Sequence, residues 1–234
     1  MLAVPLLMGV AASRPDPWQL VLAVAAVAGY LTSATAQAWL RARRRSSFVP
    51  SLVLYGAVAA VAGLALVVSH PALLVSLLVL APATAIVIVG ARPGTKRDLA
   101  NSFAQTAIAL VLLPAAAWLS GSFEAPAVAR SLVIAGGYLA GSVLLVRSVL
   151  RERGNPVYLR ASVAFHGVAV AVFALVAGWA YALYAMGLLV RAIALPIAER
   201  RRAGTERPLR PIHVGIVEIV TSTVLVVLAF AAPI

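Results

Sequence analysis

The run from Trp18 to Leu40, WQLVLAVAAVAGYLTSATAQAWL, followed at once by Arg41-Ala42-Arg43-Arg44-Arg45, decides how this chain is built. A helix rises about 1.5 Å per residue, so about 20 apolar residues cross a hydrocarbon core. Only a helix satisfies every backbone N–H and C=O within one such segment. The same alternation of apolar run and polar break recurs along the chain. It predicts spans at Val49–Val68, Pro71–Gly90, Leu99–Leu119, Pro126–Leu150, Ala161–Trp179, Tyr181–Ala198 and Ile212–Ala232. Met1–Ala12 is apolar but only about half a span long. The expected fold class is an all-α integral membrane protein of about nine transmembrane helices, with the first one short. Residues 1–234 are read as one polytopic membrane domain.

Composition agrees. Of 234 residues, 63% are hydrophobic and only 11% charged, yet the formal net charge is +12, and the mean hydropathy is +1.01. A water-soluble domain, a disordered tail or a disulfide-stapled module would carry far more polar residues or several cysteines, and this chain has no Cys. Thiolate chemistry and cysteine-ligated metals are thereby excluded, and three scattered histidines form no ligand cluster, so no metal site and no cofactor are expected. Nucleic acid is not the expected partner, because the cations fall in short loops between apolar runs and not on a folded basic face.

The distribution of the cations predicts sidedness. Arg41, Arg43, Arg44 and Arg45 follow the second helix, and Arg92, Lys96 and Arg97 follow the fourth. Arg151, Arg153 and Arg160 follow the sixth, and Arg200, Arg201, Arg202, Arg207 and Arg210 follow the eighth. These are alternate loops, so the positive-inside rule predicts a multi-pass protein of the cell membrane with a cytoplasmic N-terminus and an external C-terminus.

Polar residues inside the spans are the candidates for function, because ionisable groups in a bilayer are costly and usually face a cavity or a partner. Arg147, Arg191, His166 and Glu218 qualify. Arg147 and Arg191 have stems long enough to reach the headgroups, and His166 is placed near the cytoplasmic start of its helix. Glu218 lies about two turns into the last helix, too deep for a short side chain to reach water. It is expected to be protonated or paired, with Arg191 or Arg147 as the natural partner.

A second group lies at the end of the basic loop that follows the fourth helix. Asp98, Asn101, Ser102 and Gln105 recur at helical spacing and form one polar stripe, with Asp98 also suited to cap the helix. The loop Arg151-Glu152-Arg153-Gly154-Asn155-Pro156 offers cations and a turn that suit a phosphate or lipid headgroup. The candidate ligand-binding set is therefore Asp98, Asn101, Gln105, Arg147, Arg151, Asn155, His166, Arg191 and Glu218. No phosphate-cradling glycine loop, zinc motif or nucleophile triad is present in the sequence.

Several stretches together resemble the YwiC-like family of bacterial membrane proteins. They are Val4-Pro5-Leu6-Leu7-Met8-Gly9, Arg41 to Arg45, Lys96 to Asn101, Val146 to Pro156, Phe165-His166-Gly167, and Arg210 to Ile219. The resemblance implies a bacterial inner-membrane protein without implying a particular activity. Members of that family begin with a polar His-Gly-Ala-Trp element ahead of the first helix, so the expectation is that the first helix either continues upstream of Met1 or enters only part of the bilayer. The nine-helix plan is also similar to the UbiA superfamily of intramembrane prenyltransferases. Those enzymes hold magnesium on two aspartate-rich motifs, and carboxylates suit such hard cations. The corresponding segments here, Thr35 to Arg41 and Val146 to Arg153, contain no Asp. The scaffold resemblance therefore does not bring the activity with it.

Three functions follow as expectations. The first is binding of an anionic or phosphorylated amphiphile, including an isoprenoid lipid, in a cytoplasm-facing cavity, with membrane lipids as the partners. The second is a divergent prenyl-transferring enzyme, which would need a metal site from Asp98, Glu152 and Glu218. The third is a small transporter, for which an intramembrane pair of Glu218 and Arg191 would speak.

Overall fold

The computed structural model describes residues 2–42, 45–91, 99–202 and 210–234. Among them every regular element is helical. Eight helical segments are long and apolar enough to cross a membrane, and a short ninth helix, α1 (Ala3–Ala11), precedes them. The fold is all-α and multi-spanning. Large apolar side chains such as Leu175 (87% exposed) and Leu78 (77%) stand on the outside, where lipid and not water is their natural solvent.

Residues cluster into two compact units, Met1–Val128 and Ala129–Ile234. In the first, α2 (Pro17–Arg41) starts where the sequence carries a complete start signal. Asp16 Oδ1 accepts from Trp18 N at 2.8 Å, Gln19 Oε1 accepts from Asp16 N at 3.0 Å, and Pro17 occupies the first turn. A 3-10 turn at Ser46–Phe48 leads into α3 (Val49–Ser69), which packs along α2. The expected span Pro71–Gly90 divides into a 3-10 segment, Pro71–Ser76, and α4 (Leu77–Val89).

Leu99–Leu119 likewise divides into α5 (Leu99–Leu110) and α6 (Leu112–Leu119). Pro114 explains that break, because its ring has no N–H to offer the Leu110 carbonyl and crowds it. Helix α1 packs on α6 through Gly9, where a β-carbon would strike the Leu113 carbonyl and Ala116. Leu22, Leu66, Ala115, Ala116 and Leu119 form one apolar cluster of this unit, and Ala83, Val87 and Ala104 another.

The second unit is built from α7 (Ala125–Val146), α8 (Pro156–Ala177), α9 (Trp179–Arg202) and α10 (Pro211–Ala231). Helix α7 closes on a π-helical turn, Arg147–Arg151, in which Glu152 N reaches back to the Arg147 carbonyl at 2.7 Å. The next helix begins at Pro156, not Ala161 as the hydropathy suggests. Asn155 is extended, and its Oδ1 accepts from Val157 N at 3.0 Å, so a capped Pro start outweighs the cation at Arg160. Arg160 consequently lies within α8, and His166 lies about three turns into the helix and not near its start.

Gly178, at φ +85°, takes a conformation other residues avoid and turns the chain back into α9. Trp179 therefore opens α9 and does not close α8. Gly137 and Gly141, four apart on α7, admit the Phe173 ring and the His166 ring of α8. A β-carbon at either glycine would lie 2.8 Å from the facing ring. Leu145, Val149, Ala192 and Val214 form an apolar cluster in this unit.

Candidate intramembrane polar site

Within the second unit, α7, α9 and α10 meet at a polar cluster centred on Glu218. Arg191 on α9 donates from Nη1 to Glu218 Oε1 at 2.7 Å, forming an ion pair whose side chains are only 5% and 17% exposed. The other carboxylate oxygen, Oε2, accepts from the Ser142 hydroxyl at 2.8 Å and from the Tyr138 hydroxyl at 3.1 Å, both on α7. Arg191 Nη1 also donates to Thr221 Oγ1 at 2.9 Å, while Tyr184 donates to the Thr221 carbonyl at 3.1 Å. Arg191 Nη2 lies 3.4 Å from Ser142 Oγ. Both Glu218 oxygens are thus hydrogen-bonded and one faces a guanidinium, the arrangement that makes a buried ion pair tolerable. Glu218 lies about 10 Å along α10 from Pro211.

The expectation that Glu218 pairs with Arg191 or Arg147 resolves to Arg191. Arg147, 7% exposed, instead lies over the Tyr158 ring with its guanidinium carbon 5.7 Å from the ring centre. Arg151 is exposed at the end of the π-turn. Arg153 Nε donates to the Val149 carbonyl at 3.1 Å and lies 3.6 Å from Glu199 Oε1, which ties the turn to the end of α9. Asn155 caps α8, as described above.

His166, 1% exposed, stands beside the cluster. Its Nδ1 lies 2.7 Å from the Ser162 carbonyl, which can only accept, so Nδ1 carries the proton and Nε2 presents a lone pair. Nε2 faces Gly141, the neighbour of Ser142.

The stripe predicted on the fifth span lies in the first unit. Gln105 Nε2 donates to Asn101 Oδ1 at 2.8 Å. Asn101 is 2% exposed and packs against Gly90, where a β-carbon would strike its amide. The two amides therefore form one bonded pair, with Asn101 turned inward and Gln105 outward. Asp98 lies outside the described residues.

Sequence reasoning missed Tyr138, Ser142, Tyr184 and Thr221. A signal was present: Tyr138 and Ser142 are one turn apart on α7, and Thr221 is one turn beyond Glu218. Among the described residues, no three His, Cys, Asp or Glu side chains come together as a metal-ligand set.

The comparisons with known proteins extend over the other half of the chain. The family model of YwiC-like proteins matches residues 1–117, whereas the Arg191–Glu218 cluster lies in Ala129–Ile234. No curated protein and no solved structure matches the chain. The matched half includes three of the stretches noted in the sequence, Val4 to Gly9, Arg41 to Arg45 and Lys96 to Asn101. On that match, the chain belongs to the YwiC-like family.

Proposed function

We propose that this membrane protein binds an anionic amphiphile along α9, with the basic ends of its helices on the cytoplasmic side, its N-terminus inside and its C-terminus outside. One observation carries the reading. An open groove of about 570 Å³ runs along α9, lined by Val190, Ile193, Ala194, Ile197 and Ala198, and ends on Arg201. The lining is apolar for about two turns and then cationic, which is the order of chemistry in a phospholipid or isoprenyl phosphate from tail to head. Arg200 is exposed next to Arg201, and the Arg153–Glu199 contact brings the π-turn, with exposed Arg151, to the same end of the helix. Arg191 is a poorer headgroup partner than the sequence suggests, because Glu218 already neutralises it.

Native mass spectrometry of the full chain, with phosphatidylglycerol and phosphatidylcholine offered in equal amounts, tests this. Preferential retention of phosphatidylglycerol, reduced several-fold in an Arg151→Ala/Arg201→Ala double variant, is the expected result. Equal retention of both lipids by the unaltered chain overturns it.

The transport reading has the buried Arg191–Glu218 pair in its favour, since charges inside a span are the usual elements of ion and proton pathways. The prenyl-transfer reading has no corresponding residue set among the described residues.

A further inference from the structure

Among the wholly buried polar atoms that remain outside the hydrogen bonds of the second unit are Ser162 Oγ, His166 Nε2 and Arg191 Nε. His166 Nε2 and Arg191 Nε each meet no hydrogen-bonding partner among the described residues, with the two residues 1% and 6% exposed. Leaving such groups unsatisfied in a low-dielectric interior is unfavourable, and native proteins rarely do so without a bound partner.

The two residues occupy one level of the α8–α9 hairpin. His166 and Arg191 stand at nearly equal distances along the chain from Gly178, where α8 and α9 turn back on each other, so the helical hairpin sets them at the same depth. Both also border one turn of α7: His166 Nε2 faces Gly141, and Arg191 Nη2 reaches Ser142, the next residue.

The chemistry of the two atoms is complementary. His166 Nε2 is an acceptor, because the ring proton is held on Nδ1 by the Ser162 carbonyl, and Arg191 Nε–H is a donor. A fully ionised carboxylate or phosphate satisfies only the arginine, and a cation only the histidine. A hydroxyl satisfies both, its hydrogen directed to His166 and its oxygen accepting from Arg191. We propose that His166 and Arg191 form a binding site for one hydroxyl group inside the membrane-spanning part of the protein, supplied either by a water molecule or by the hydroxyl of an amphiphile's head. The site is separate from the lipid-facing groove on α9, and either can fail without the other.

Histidine-selective 15N labelling of the full chain in phosphatidylglycerol bilayers tests the proposal, since only three histidines contribute signals. The His166 resonances are identified by their loss in His166→Gln. The expected result is an Nδ1-protonated ring whose Nε2 resonance is displaced from the position of a free lone pair. Transfer to Nε2 from water protons assigns the hydroxyl to water. Transfer from the glycerol headgroup protons, lost when that headgroup is deuterated, assigns it to the amphiphile. An Nε2 resonance at the free lone-pair position in the unaltered protein overturns the proposal. Arg191→Lys, which keeps a cation for Glu218 but has no Nε–H, is expected to return Nε2 toward the free position. Should that variant not fold, the resonance of the unaltered protein still decides.

Discussion

Arg191 and Glu218 face each other across α9 and α10 at 2.7 Å, and neither is held by the other alone. Ser142 and Tyr138 occupy the second carboxylate oxygen, and Thr221 shares the guanidinium nitrogen that binds the first. The pair is therefore a junction of three helices. In a low dielectric its members are coupled far more strongly than a surface pair would be.

Removing one member of the pair leaves an unmatched buried charge. Arg191→Met or Glu218→Leu alone is expected to destabilise the protein by about 3–5 kcal/mol, while the double variant loses much less than the sum. Reversible denaturation in mixed micelles measures the cycle. Additive losses would show that the two residues do not interact.

The hydroxyl ligands of Glu218 are a smaller contribution. Ser142→Ala and Tyr138→Phe are each expected to cost about 0.5–1.5 kcal/mol, the range of hydrogen bonds to buried groups and of polar contacts between membrane helices. The same denaturation assay reads both. A loss above about 3 kcal/mol in either would mean that the hydroxyl does more than orient the carboxylate.

Small residues are required on only some faces. Gly137→Ala and Gly141→Ala each drive a methyl to 2.8 Å from a ring of α8 and are expected to lower stability. Gly63→Ala, where a β-carbon meets nothing within 4 Å, is expected to be neutral or mildly stabilising. Thermal unfolding of the three variants side by side tests the contrast, and equal effects at all three sites would contradict the α7–α8 packing.

Sidedness can be read directly, because a chain without cysteine accepts single reporters. Arg151→Cys is expected to react with a membrane-impermeant maleimide only after the cells are opened, and Glu124→Cys in intact cells. The reverse pattern would invert the topology.

Legibility differed between the spans and their contents. At Asp16-Pro17 and at Pro211 the predicted and observed helix starts agree within a residue. The start of α8 was displaced because Arg160 was read as loop, although a cation one turn inside a helix can extend its stem outward. Glu218 was legible as a buried carboxylate needing a cation. Its hydroxyl partners were not, since isolated Ser, Thr and Tyr are ordinary in membrane helices and gain meaning only from the side they face.

The sequence by itself determined an all-helical, multi-spanning chain, because transfer of apolar side chains into hydrocarbon is local and sums along each segment. Only the tertiary structure decided that Glu218 takes Arg191 and not Arg147, and that His166 shares its level. Those outcomes depend on how each helix is rotated and on where Gly178 turns the chain, and no hydropathy sum contains either quantity.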